Sequence, residues 1–197
     1  MNINPTTGLL ENCTLCPSPN KDARPENTAI DLLVIHSISL PPEQYGGDYI
    51  ERFFQNKLDK NIHPYFEEIY QMQVSSHILI KRSGEIVQFV PFHERAWHAG
   101  QSSYCGRDRC NDYSIGIELE GSDTDSFEDR QYQQLADLIV TLQQTYPESR
   151  GHITGHSDIA PGRKTDPGTG FDWARLEQEI SNVNCPANPN LLVQTHT

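Results

Sequence analysis

The chain has 197 residues and a formal net charge of -12, long enough for one domain with a sizeable core and too acidic to hold a polyanion on a broad basic face. Its mean hydropathy is -0.62, and no apolar run approaches the ~20 residues of a bilayer span, which excludes an integral membrane helix. The expectation is a monomer that binds neither nucleic acid nor membrane.

In chain order, the first 28 residues are rich in Pro, Asn and Thr and read as an irregular arm. The opening MNINPTTGLLENC lacks the basic start, apolar core and cleavage pattern of an export signal. Five cysteines, an odd number, then fit reduced thiols of the cytoplasm better than a disulfide framework. Cys13-x-x-Cys16 has the spacing of half a zinc ribbon, but no second pair follows. Residues 29–35, AIDLLVI, form a nearly continuous apolar run, as in a buried central strand, and end on His36. Apolar positions at helical spacing predict a helix within 47–58 and a shorter one over 63–72, entered through Pro64. Residues 74–80 and 85–90 flank Ser83-Gly84 as a hairpin. SIGIELE, 114–120, alternates with Ile115, Ile117 and Leu119 on one face. Tyr132, Leu135, Ala136, Ile139 and Leu142 mark the longest helix. A short strand is expected at 152–156, a last helix after the N-cap candidate Asp172, and a flexible tail from 184. Hairpin strands mixed with helices predict one α/β (α+β) domain over 1–197, a mixed sheet flanked by helices.

Several polar residues in this pattern fit two readings. His36 is either a group presented at a strand end or a polar residue leaving the core. His152 and His156 have the i,i+4 spacing of a zincin helix, but Ile-Thr-Gly between them contains no Glu and disfavours a helix. Lys164 and Asp166 leave the same side of an extended segment, as a surface pair or as parts of a site. Two His and a carboxylate suffice for catalytic zinc, a set that would be complete if His36 joined His156 and Asp166. Glu118 and Glu120 are a general base and its neighbour, an ordinary solvated face, or the paired acids of a glycosidase. Trp97 stacks on a ligand or fills the core; Arg109 holds an anionic group or decorates a turn.

Taken in order and spacing, VIHSISLPP, SSHILIKRSGEIVQFVPF, RAWHAG, GRDRCND, SIGIELEG and GHSDIAPGRKTDPG resemble one family over about residues 17–180. It is the zinc-dependent N-acetylmuramoyl-L-alanine amidases, and within it the cytosolic AmpD-type branch of peptidoglycan recycling, which acts on 1,6-anhydro-muramyl fragments. The resemblance implies one zinc per chain held by His36, His156 and Asp166, with Glu118 as catalytic carboxylate and Lys164 as electrostatic helper. It also implies that Trp97, Arg109 and Arg163 line a cleft for a small muropeptide. Ser37 stands where that branch carries Asn, and Gln73 where it carries Arg. The chemistry is consistent: an unactivated amide needs a strong nucleophile and a stabilised oxyanion, which zinc, a general base and a cation supply. A binding module of the same fold usually lacks one metal ligand, and a muramidase built on Glu118 and Glu120 leaves the histidines unexplained.

Overall fold

The computed structural model describes residues 1–184. The chain opens with a small hairpin of β1 (Ile3–Asn4) and β2 (Leu9–Leu10), followed by β3 (Thr14–Leu15) and β4 (Lys21–Ala23). The apolar run becomes β5 (Leu32–Ile38), and two short helices follow, α1 (Tyr49–Phe54) and α2 (Pro64–Ile69). The His63 ring accepts a hydrogen bond from the Tyr65 N–H at 3.2 Å and so caps α2, with Pro64 in its first turn. The expected hairpin is β6 (Ile78–Ile80) with β7 (Ile86–Gln88), and β8 (Glu94–Ala96) pairs back onto β4. A second small hairpin, β9 (Ser103–Tyr104) and β10 (Arg107–Asp108), precedes β11 (Ser114–Glu120). The long helix α3 (Asp129–Thr145) leads to β12 (Ile153–Gly155), the single turn α4 (His156–Ile159) and α5 (Trp173–Asn184). Asp172 accepts the Arg175 N–H at 3.0 Å, the cap expected for α5. The tail expected from 184 lies, beyond Asn184, outside the described residues.

The main sheet is mixed, in the order β12-β5-β11-β6-β7-β3, with β12, β5, β11 and β6 parallel and the β6–β7 pair antiparallel. Period-two alternation sorts its residues into two layers. Leu33, Ile35, Ile115, Ile117 and Leu119 pack under Leu135, Leu138, Ile139 and Leu142 of α3 and Leu176 of α5. Each such side chain fully buried contributes about 1.5–3 kcal/mol. On the other face Leu79, Val87 and Phe89 meet Phe53, Phe54 and Phe66 of α1 and α2. Leu32 and Val34 form a third cluster there with Ala99 and Ile159. The even-numbered residues of β5 and β11 share that second face, which puts His36 and Glu118 on it together.

Two expectations are corrected. Residues 1–28 are not an irregular arm. β3 adds a parallel strand to β7, β4 pairs with β8, and Arg24 donates to the carbonyls of Asn111, Asp112, Phe92 and Ser114 at 2.8–3.2 Å. Nor is the carboxylate face of SIGIELE solvated: every residue of β11 is buried.

Candidate active site

Parallel strands end together, and the polar residues gather outside their carboxyl ends. His36 is the fifth residue of β5, and parallel register sets Glu118 of β11 directly beside it. β12 stops at Gly155, whose N–H donates to Asp158 Oδ2 at 3.0 Å, and His156 starts the turn that follows. The Ser157 N–H donates to the Asp166 carbonyl at 2.9 Å, which folds the loop back and returns Asp166 to His156. Gly168 closes this loop at φ +81°, where a Cβ would stand 2.2 Å from Asp123 Cα; any other residue would separate the loop from its neighbour.

The result is a triangle. His36 Nδ1 lies 3.0 Å from His156 Nδ1 and 3.0 Å from Asp166 Oδ2, and His156 Nδ1 lies 3.1 Å from the same oxygen. Among the described residues this is the one cluster of three donors able to hold a metal. Tetrahedral zinc with bonds of about 2.0–2.1 Å sets its ligands roughly 3.4 Å apart, so the spacing fits one small cation with slight expansion. The proton positions fit as well. His156 Nε2 faces the Ala99 carbonyl at 3.2 Å, and a carbonyl only accepts, so the proton sits on Nε2 and Nδ1 turns a bare lone pair to the centre. Burial pushes the His36 imidazole down to about 4 against the pull of Asp166, leaving it in the neutral form that binds metal.

Glu118, Lys164, Trp97 and Ser37 line the same cleft of about 520 Å³ with the three donors. Leu40, Phe53, Tyr65 and Ile69 add an apolar wall to its lining. Ser37 donates to Asp123 Oδ1 at 3.3 Å at the rim. Gln73 is exposed and does not line the cleft. Glu120 does not line it either: its two oxygens accept the Gly46 N–H at 2.5 Å and the Arg82 N–H at 3.0 Å. That removes the paired-acid reading of Glu118 and Glu120. Arg109 and Arg163 border a neighbouring groove rather than this cleft. Arg163 donates to the carbonyls of Ala99 and Gln101, both at 2.6 Å, while Arg109 is 72% exposed and pairs with Asp112.

Burial, with the Asp166 charge, raises the Glu118 pKa well above its ordinary 4.5, and Lys164 opposes the shift. Glu118 Oε2 makes no hydrogen bond to the described residues. A carboxyl raised in the folded state favours folding below its ordinary pKa, and that contribution is lost as pH rises through the raised value. Glu118→Gln is therefore expected to raise the melting temperature of the chelator-treated protein at pH 7–8, with the gain vanishing near pH 4. Melting curves of both proteins from pH 4 to 8 test this, and a gain that grows toward acid pH would contradict it.

Residues 26–169 match the family described as N-acetylmuramoyl-L-alanine amidase. The chain belongs to this family. Its relatives include the 1,6-anhydro-N-acetylmuramyl-L-alanine amidase AmpD of Haemophilus influenzae, 56% identical over 174 residues that cover 88% of this chain and 95% of that one. The crystal structure of a selenomethionine AmpD derivative superposes with a TM-score of 0.89 at 53% identity, covering 91% of this chain and 99% of that one. The amidase AmiD of Escherichia coli, solved with anhydro-N-acetylmuramic acid-L-Ala-D-γ-Glu-L-Lys, superposes at 0.56 with 32% identity, over 79% of this chain and 60% of that one. Membership makes this amidase an amide hydrolase with the mixed α/β fold of its relatives. None of its described helices is long and apolar enough to cross a membrane.

The site also contains residues that sequence reasoning missed. His98 Nδ1 lies 2.9 Å from His36 Nε2, and His98 Nε2 lies 3.0 Å from Ser114 Oγ. Asn111 Oδ1 accepts both the His98 and Ala99 N–H groups, at 3.1 and 2.7 Å. The readable signal was Gly116, two residues from Glu118 on the same strand face. A Cβ there would stand 2.5 Å from the His98 ring.

Proposed function

We propose that this amidase cleaves the amide between the lactyl group of 1,6-anhydro-N-acetylmuramic acid and L-alanine in soluble muropeptides. It would act as a monomeric, single-domain cytoplasmic enzyme of peptidoglycan recycling. The observation that carries the reading is the triangle of His36, His156 and Asp166 at 3.0–3.1 Å in one cleft with Glu118, whose Oε2 has no hydrogen-bond partner among the described residues. The names of its relatives support the anhydro-muramyl substrate class.

One zinc ion would be held by His36 Nδ1, His156 Nδ1 and an Asp166 oxygen. When bound, zinc lowers the pKa of water to about 7 and polarises a carbonyl. The chain's own residues do the rest. Glu118 takes the proton of the attacking water and returns it to the leaving nitrogen of L-alanine, a transfer its raised pKa suits. Lys164 faces the same space and offsets charge on the carbonyl oxygen. Trp97 and the apolar wall take the sugar ring, excluding water from the reacting amide.

Mass spectrometry of anhydromuramyl-tripeptide, incubated with and without a chelator, tests the whole reading. Release of free tripeptide and anhydromuramic acid, lost on chelation, is expected; intact substrate without chelator would sink it. Peptide carboxylates suit the exposed Arg109, so Arg109→Glu is expected to raise KM for peptide-bearing substrate more than it lowers kcat. Arg163→Glu should affect both constants, because Arg163 also braces the backbone at Ala99. Steady-state kinetics of the two variants separate these effects. Equal kcat/KM for the anhydro fragment and for the same peptide on a reducing-end muramic acid would remove the recycling-specific part.

A further inference from the structure

We propose that His98 is a positioning residue for His36, fixing by a relay of hydrogen bonds the tautomer that turns a bare Nδ1 into the metal site. The inference rests on the reading of His36, His156 and Asp166 as a zinc site. The protons can be assigned from a fixed end. The Cys110 carbonyl only accepts, and Ser114 Oγ lies 2.6 Å from it, so the single hydroxyl proton is committed there. Ser114 Oγ must then accept from His98 Nε2 at 3.0 Å, which places the ring proton of neutral His98 on Nε2 and leaves Nδ1 bare. His98 Nδ1 in turn accepts from His36 Nε2 at 2.9 Å. With its one proton on Nε2, His36 presents its other nitrogen as a lone pair to His156 and Asp166. Every step has one outcome, because a carbonyl anchors the far end.

Three further observations say the relay is built. His98 is buried at 9% exposure, with its ring edge-on to His36 at a centroid distance of 5.0 Å. Gly116 makes the room, since any side chain on that residue would occupy the ring's position. Asn111 clamps the backbone at His98 and Ala99, so one segment serves both ligand histidines: the His98 side chain for His36 and the Ala99 carbonyl for His156. Partners of this kind typically change metal affinity roughly 10–100-fold when removed.

The test is zinc affinity of the full chain by chelator competition at fixed pH, with the visible spectrum of the cobalt-substituted protein and the metal-free melting temperature measured alongside. His98→Phe keeps the ring's bulk and removes the acceptor. Zinc binding is expected to weaken roughly 10–100-fold with an altered cobalt spectrum. His98→Asn sets its carbonyl oxygen near the place of Nδ1, whereas His98→Gln sets it near Nε2. Asn is therefore expected to bind within about threefold of the parent and Gln about tenfold or more weaker, a split that a purely structural role would not produce. Should His98→Phe fail to fold, the Asn and Gln pair carries the test alone. A Phe variant that binds like the parent, or Asn and Gln variants of equal affinity, would overturn the relay. A parent chain that itself fails to retain zinc would overturn the metal reading first, and the relay with it.

Discussion

His36→Ala is expected to emerge from purification without zinc and without turnover, the largest single effect in the molecule. The substitution removes one corner of a three-donor triangle and leaves His156 and Asp166, too few to hold a catalytic ion against the usual chelators. It also strands His98, whose Nδ1 then loses its partner. Metal analysis should fall from one zinc per chain to near zero, with activity at the detection floor. The controls are histidines with other duties. His63 caps α2, His152 lies 3.3 Å from the Tyr104 hydroxyl, and His77 Nδ1 accepts the Gly116 N–H at 3.0 Å. Replacing any of these, or the exposed His93, should leave zinc in place. Stoichiometric zinc in His36→Ala would mean that the ligands have been misassigned.

Glu118→Ala separates chemistry from binding. Its side chain is in the cleft but outside the donor triangle, so the variant should keep zinc while kcat falls about 10²–10⁴-fold, the usual contribution of a positioned proton carrier. Glu120→Ala should do the reverse. Both Glu120 oxygens tie backbone N–H groups, of Gly46 and Arg82, to β11, and each such hydrogen bond contributes about 0.5–1.5 kcal/mol. A lower melting temperature with nearly unchanged kcat is expected. Should Glu120→Ala lose more kcat than Glu118→Ala with its fold intact, the two carboxylates must exchange roles.

These two glutamates also mark how far the sequence could be read. The strand itself was legible to the residue, because strict alternation over SIGIELE leaves no other period. Its second face was not. Whether a carboxylate two residues from another is solvated, structural or catalytic depends on what folds over it, here the loop at Gly46 and the cleft at His36. The central strand was legible as a continuous apolar run, the hairpin from its Ser83-Gly84 turn, and α3 from a 3.6-residue apolar period. α1 and α2 came out shorter than their apolar spacing suggested: Leu58 is buried from the loop that follows α1, and Met72, beyond α2, is exposed and gives the helix nothing to pack. The donor set came from resemblance, not from spacing: positions 36, 156 and 166 share no local pattern, and they meet only through the parallel pairing of β12 with β5 and the loop that returns Asp166 to His156. The relay through His98 was out of reach even though Gly116 is plain in the sequence, because only the folded chain sets that gap against the His98 ring. The N-terminal strands are two or three residues long, too short to show any period.

Those strands bear on where the protein can be cut. The family match starts at residue 26, and a fragment begun there would look complete by sequence. It would have lost β3 from the side of β7 and β4 from the side of β8, along with the Cys16 and Ser18 N–H groups that donate to Gln88 and Phe89. Both strands would then present unpaired N–H and C=O groups, the kind of open border on which a second copy adds itself. The four carbonyls held by Arg24 would be released as well, one of them on Ser114. Such a fragment is expected to associate through these edges and lose solubility, so the first two dozen residues serve as a cover for two strand borders.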